Sequence, residues 1–137
     1  MKIKRILLVC LLVVVMPVAG CTDTGGGPTV PSNDAPILSN ARVDSLEKNP
    51  GAIVIFSIDF VDVDGNLNGG TAVITDNQRF RYDNNSGVNN AVGTAGILTI
   101  SIELSPLVAP GELVFYIYVQ DQAGNPSNQV TATITIL

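Results

Sequence analysis

Histidine and tryptophan are absent from the sequence. The first absence removes the commonest general base at neutral pH and the commonest nitrogen ligand for metals. The second removes the best aromatic platform for stacking on a sugar ring. Cysteine occurs only as Cys10 and Cys21, and charged residues make up 14% of the chain, with 7 basic against 12 acidic side chains. Without histidine no Ser-His or Cys-His pair can be built, and a carboxylate pair such as Asp62 with Asp121 would need a cleft that a small domain does not normally provide. No catalytic residue is assigned, and the sequence reads as a non-enzyme.

What is present begins with a basic head, Lys2, Lys4 and Arg5, followed by an uninterrupted apolar run over 6–16 and the small residues Val18-Ala19-Gly20 directly before Cys21. That is the layout of a secretory signal peptide. The run falls short of the ~20 apolar residues that span a bilayer core. Val18-Ala19-Gly20-Cys21 resembles the lipobox of bacterial lipoproteins. The resemblance implies that residues 1–20 are removed, that the Cys21 thiol receives a diacylglycerol, and that the new amino terminus is acylated as well, with palmitate the acyl group expected. Two or three acyl chains hold a protein firmly where one holds it only marginally. The expected location is the cell envelope, with the lipid as the membrane partner. In enteric members of the family an aspartate directly after the lipidated cysteine retains the protein at the inner membrane. Thr22 stands there instead, which favours the outer membrane in a Gram-negative cell.

Loss of residues 1–20 leaves 117 residues with 4 basic and 12 acidic side chains, a net charge near −8. That balance repels nucleic acid and anionic lipid, and it attracts divalent cations. Cys10 departs with the signal and Cys21 is acylated, so no disulfide is available and the domain must rely on its core. Residues 21–35 form the lipidated cysteine and a linker rich in glycine, proline and small polar residues. A flexible coil of about 15 residues has a root-mean-square span of roughly 20 Å.

From 36 to 137 the pattern is one of short alternating apolar runs separated by turn residues, which predicts an all-β sandwich of seven antiparallel strands. The expected strands are 37–44, 52–61, 71–75, 78–82, 96–104, 112–120 and 130–137. Ala41 and Val43 are expected inward on the first. Val54, Phe56, Ile58 and Phe60 share one face of the second, whose outer face begins with Ile53 and Ile55, as a central strand would. Arg79 and Arg81 suit an exposed edge. Residues 83–93 read as a loop that only Val88 and Val92 can pin. Leu113, Phe115, Ile117 and Val119 are expected inward, with Tyr116 and Tyr118 outward. The arrangement resembles the immunoglobulin-like domains of bacterial surface proteins, chiefly in Phe60-Val61-Asp62-Val63-Asp64-Gly65-Asn66 and in Tyr118 to Asn125, while Ser32-Asn33-Asp34-Ala35-Pro36 looks like a cadherin-type linker. The resemblance implies architecture, and a shared sandwich does not carry a shared function.

If the strands alternate in direction, the loops 62–70, 83–93 and 121–126 emerge at the end where the linker arrives. Asp62, Asp64, Asn66, Asp83 and Asp121, with Asp34 beside them, are then gathered in one region. Oxygen donors in that mixture suit calcium, which takes six to eight of them, and Asp62, Asp64, Asn66 and Asp121 are the candidate ligands. Gly65 and Val73 stand where an EF-hand needs other residues, and Asp-Gly-Asn is also a turn sequence in its own right. No other cofactor is expected. Tyr116 and Tyr118, with Tyr82 nearby, offer a sugar-stacking surface or plain cross-strand packing. Asn84-Asn85-Ser86 matches a glycosylation acceptor that a bacterial lipoprotein has no reason to use. The function expected is therefore a membrane-anchored envelope lipoprotein with a non-catalytic binding or structural module, its partner an envelope protein or glycan. The alternatives are a calcium-stabilised adhesion module and a carbohydrate-binding or hydrolytic domain.

Overall fold

A computed structural model of the chain describes residues 34–84 and 88–137. The lipobox at 18–21, nearly all of the linker, and Asn85 and Ser86 of the acceptor sequence lie outside the described residues. Among the described residues eight strands run β1 (Ile37–Val43), β2 (Glu47–Lys48), β3 (Ile53–Val61), β4 (Thr71–Asp76), β5 (Arg81–Asn84), β6 (Ala95–Glu103), β7 (Gly111–Gln120) and β8 (Val130–Ile136), with one 3-10 turn at Val88–Asn90. They form a three-stranded sheet ordered β1-β3-β6 and a five-stranded sheet ordered β2-β8-β7-β4-β5.

The alternation read from the sequence builds the core. Val54, Phe56, Ile58 and Phe60 of β3 and Leu98, Ile100 and Ile102 of β6 face Ile74 of β4, Leu113, Phe115, Ile117 and Val119 of β7, and Ile134 and Ile136 of β8. Phe56 and Phe115 meet edge to face across the sandwich, ring centroids 5.0 Å apart at 79°, the geometry that the ring quadrupoles favour.

Three expectations are corrected. The strand count is eight rather than seven, and one pair is parallel: β2 lies alongside β8 with Glu47 opposite Thr135 and Lys48 opposite Ile136. The chain leaves the first sheet after β1, where Asp44 Oδ1 accepts the Ile55 N–H, and joins the second, where Leu46 O accepts the Thr135 N–H. Two residues are too few to show a period in the sequence. The strand expected at 78–82 starts later, because Asp76 Oδ1 accepts the N–H groups of both Gln78 and Phe80 and folds 77–80 into a turn, with Arg79 at φ 73°. The pins of the 83–93 loop are Val88 and Ala91, both buried, while Val92 is exposed.

The strand expected at 52–61, β3, is central as expected, but Ile53 and Ile55 on its outer face are exposed. Ala41 and Val43 are half-buried and Leu38 is the deepest residue of β1. Because Ile37 pairs with Val61, and Val61 with Ala95, the chain arrives at the end of the sandwich that carries the segments 62–70, 88–94 and 121–129. That end is called the base here.

Candidate functional site

The base is organised by Asp62, the first residue after β3. Its N–H donates to Thr94 O at 2.8 Å and its carbonyl accepts from Gly65 N at 3.1 Å. Its Oδ2 accepts the Leu67 N–H at 2.7 Å. Leu67 is wholly buried and acts as a plug that draws the loop into the core. Gly65 turns the chain at φ 67°, a conformation glycine adopts without a steric penalty. The next loop closes over the first: Gln122 N–H donates to Asn66 O at 3.2 Å and the Gln122 side-chain amide to Asn68 O. At Gly70 a Cβ would stand 2.0 Å from Gln120 O, so only glycine allows the β3–β4 loop to pass so close to the end of β7.

Within this loop three side-chain oxygens, Asp62 Oδ1, Asp64 Oδ1 and Asn66 Oδ1, are buried without a hydrogen-bond partner. Asp64 Oδ2 accepts from Asn66 Nδ2 at 3.1 Å. Buried acceptors left unmatched are rare and call for an explanation. Burial, then the neighbouring Asp64 carboxyl, push Asp62 up to about 6 against the lowering effect of the Leu67 N–H, and the charges of Asp64 and Asp121 add to the rise. Asp62 is thus held in an electrostatically unfavourable place in which a proton or a cation is welcome.

Asp121 lies at the same end but is engaged differently. Its two carboxylate oxygens accept from Asn125, Oδ1 from the backbone N–H at 2.8 Å and Oδ2 from the side-chain amide at 2.9 Å. Burial alone would raise it, but these bonds, with the N–H groups of Ala123 and Gly124, hold it below the usual carboxylate range. It contributes charge to the base while its lone pairs serve its own turn. Asp34 is exposed at the arrival of the chain, and Asp83 lies in edge strand β5. Among the described residues no three carboxylates converge as metal ligands. The donor set is two carboxylates and one amide oxygen, all hard oxygen donors of the type calcium prefers, with the rest of a coordination shell left to backbone carbonyls or water.

The tyrosines separate onto two faces. Tyr116 and Tyr118 point outward and are half-buried, opposite Thr75 and Val73 of β4. Tyr82 points inward, against Phe115, and donates its hydroxyl to Asp76 Oδ2 at 3.0 Å. It therefore belongs to no outer platform. Burial and the Asp76 carboxylate push its hydroxyl up to about 12. Arg81 lies in β5 at the edge of the larger sheet, and no cavity opens among the described residues.

Two structural side chains escaped the sequence reading. Asp76 organises the β4–β5 turn, which its position before Asn77 could have signalled. Asn128 accepts the Leu38 N–H and donates to Leu38 O, standing in for a neighbouring strand, and nothing in its surroundings announces that role.

No protein-family model matches the chain, and no curated protein matches it in sequence. Among solved structures it is similar to the PKD domain of an M14-like peptidase from Thermoplasmatales archaeon SCGC AB-540-F20, at 18% identity and a TM-score of 0.51, over 77% of this chain and 98% of that one. Weaker likenesses are to the sporulation control protein Spo0M of Bacillus subtilis, at 9% identity and a TM-score of 0.48, covering 75% of this chain and 49% of that one. The chitinase ChiW of Paenibacillus sp. str. FPU-7 follows at 17% and 0.44, over 85% of this chain and 9% of that one. Identity at this level speaks to fold alone, and the last two carry no argument even there. The chain folds as an all-β, two-sheet sandwich of immunoglobulin type, similar in architecture to a PKD domain.

Proposed function

We propose that the chain is an envelope lipoprotein, held to the membrane through lipid on Cys21, whose sandwich serves as a non-catalytic binding or structural module. The observation that carries this reading is the basic head, apolar run and Val18-Ala19-Gly20 placed before Cys21. The strand pairing supports it geometrically, since a chain arriving beside Val61 would hold the base towards the bilayer and turn the 44–52 and 104–110 turns outward. Expression in a bacterium fed an alkyne palmitate tests it. The wild type should carry the label and partition into detergent, and Cys21→Ala should do neither. An unlabelled wild-type chain recovered from the aqueous phase would remove the reading.

A second reading, a calcium-stabilised base, is favoured by the three unmatched oxygens of Asp62, Asp64 and Asn66. Calcium held there would satisfy the buried acceptors and relieve the repulsion among Asp62, Asp64 and Asp121. Its role would be to stiffen the anchored end of the domain, as an adhesion module requires. A carbohydrate-binding role has less behind it, because Tyr82 faces the core and leaves two half-buried tyrosines outside.

A further inference from the structure

Five exposed aliphatic side chains gather at the base. Ile37 and Val61 are cross-strand partners at the lower end of the three-stranded sheet, 60% and 48% exposed, with Ala95 completing their row. Ile97 lies one step further along β6 on the same outer face, 59% exposed, and Val63 and Val92 stand on the adjoining loops, 62% and 76% exposed. Nothing in the core requires these residues to be apolar. Exposed apolar groups that cluster mark a contact surface.

We propose that this patch is a lipid-contacting foot that rests the base of the domain on the bilayer surface. The inference depends on the acylation of Cys21 proposed above. Its occupant is set by where the chain arrives: Asp34 lies three residues before Ile37, and Cys21 lies thirteen residues before Asp34. Thirteen residues reach at most roughly 45 Å even when fully extended, so the patch stays close to its lipid. A short link gives an effective concentration in the millimolar range, so a contact too weak to recruit a free protein still holds a tethered one. The charges nearby are arranged to permit the approach. Asp62 and Asp121 are buried, and Asp59 is paired with Arg42 at 2.6 Å. The half-exposed Asp64 and the acidic balance of the chain fit a zwitterionic lipid surface rather than an anionic one. Leu46, Ile53, Ile55, Leu107 and Leu137 are also exposed, but they belong to the opposite end, and so provide an internal control.

The test uses the full acylated chain in phosphatidylcholine vesicles. After signal removal and acylation no free native thiol remains, so Val63→Cys and Leu107→Cys can each carry one environment-sensitive fluorophore. Lipids bearing a shallow nitroxide should quench position 63 roughly twofold or more and leave position 107 unchanged, with less quenching when phosphatidylglycerol is added. In a chain labelled through Val92→Cys, Val63→Asp with Ile97→Asp should abolish the quenching. Both substituted sites are exposed, and a melt on the same sample checks that the fold is kept. Equal quenching at 63 and 107, or none at 63, overturns the proposal. So does protection of position 63 that depends on protein concentration and not on lipid, which would mean a contact between copies. The mass of the N-terminal peptide from the same sample reads acylation independently, so failure of the anchor is distinguished from failure of the foot.

Discussion

The carboxylate of Asp62 accepts the backbone N–H of Leu67 at 2.7 Å, so that one wholly buried charge and one wholly buried leucine hold the base loop together. The same loop leaves the second oxygen of Asp62 unmatched beside those of Asp64 and Asn66. Satisfied on one side and open on the other, Asp62 sets the base's response to cations, to protons and to substitution.

Calcium should raise the melting temperature of the wild-type domain relative to chelator, because a ligand that binds only the folded state stabilises by mass action. Asp62→Asn keeps an acceptor for the Leu67 N–H while removing a buried charge. In chelator it should melt higher than wild type, and in calcium it should gain nothing. Paired melts in millimolar calcium and in chelator check both. Identical wild-type curves would dispose of the calcium reading.

The pH dependence has a definite sign. A carboxyl raised from 3.8 to about 6 binds more protons folded than unfolded across that window. Its contribution is most favourable below 3.8 and is lost as pH climbs through 6, worth up to roughly 3 kcal/mol for Asp62. Asp44, Asp59 and Asp121 are held low and act in the opposite sense, losing their contribution as pH falls through their depressed range. Without calcium, urea midpoints should therefore be highest at about pH 4 and fall towards 7, and Asp62→Asn should flatten the fall above the peak.

Gly70→Ala places a methyl 2.0 Å from the carbonyl oxygen of Gln120. The β3–β4 loop must then shift against β7, at a cost of about 3 kcal/mol or more. A urea titration that found the variant within a few tenths of wild type would contradict the packing described.

Asp76→Ala removes the acceptor for Gln78 N, Phe80 N and the Tyr82 hydroxyl together. The expected loss is about 2–3 kcal/mol, against about 1 for Tyr82→Phe, which keeps the turn and leaves one acceptor short. Hydrogen exchange at Gln78 and Phe80 should rise in the first variant and not in the second.

Much of the sandwich was legible in the sequence because a sheet buried on one face writes itself as alternation. Val54 to Phe60, Leu98 to Leu104 and Leu113 to Val119 all point where their period of two puts them. Register and strand order follow no such rule. The crossing of Val43 to Lys48 from one sheet to the other depends on tertiary bonds from Thr135 and Ile55, which no local pattern encodes. At the base, the gathering of Asp62, Asp64, Asn66 and Asp121 followed from strands alternating in direction. The different engagement of Asp121 did not, since it depends on which lone pairs Asn125 takes. The alternation of Phe80 and Tyr82 against Arg79 and Arg81 sets Tyr82 apart from an outer platform, and its bond to Asp76 and its packing on Phe115 fix it inward.

The parallel pairing of Glu47–Lys48 with Thr135–Ile136 clasps β2 to β8, more than 80 residues further along the chain. β8 sits between β2 and β7, so the larger sheet cannot be completed and the core cannot be sealed until residues 130–136 arrive. Contacts this distant in sequence make folding slow to begin. The domain therefore stays open until residues 130–136 have paired with both β2 and β7.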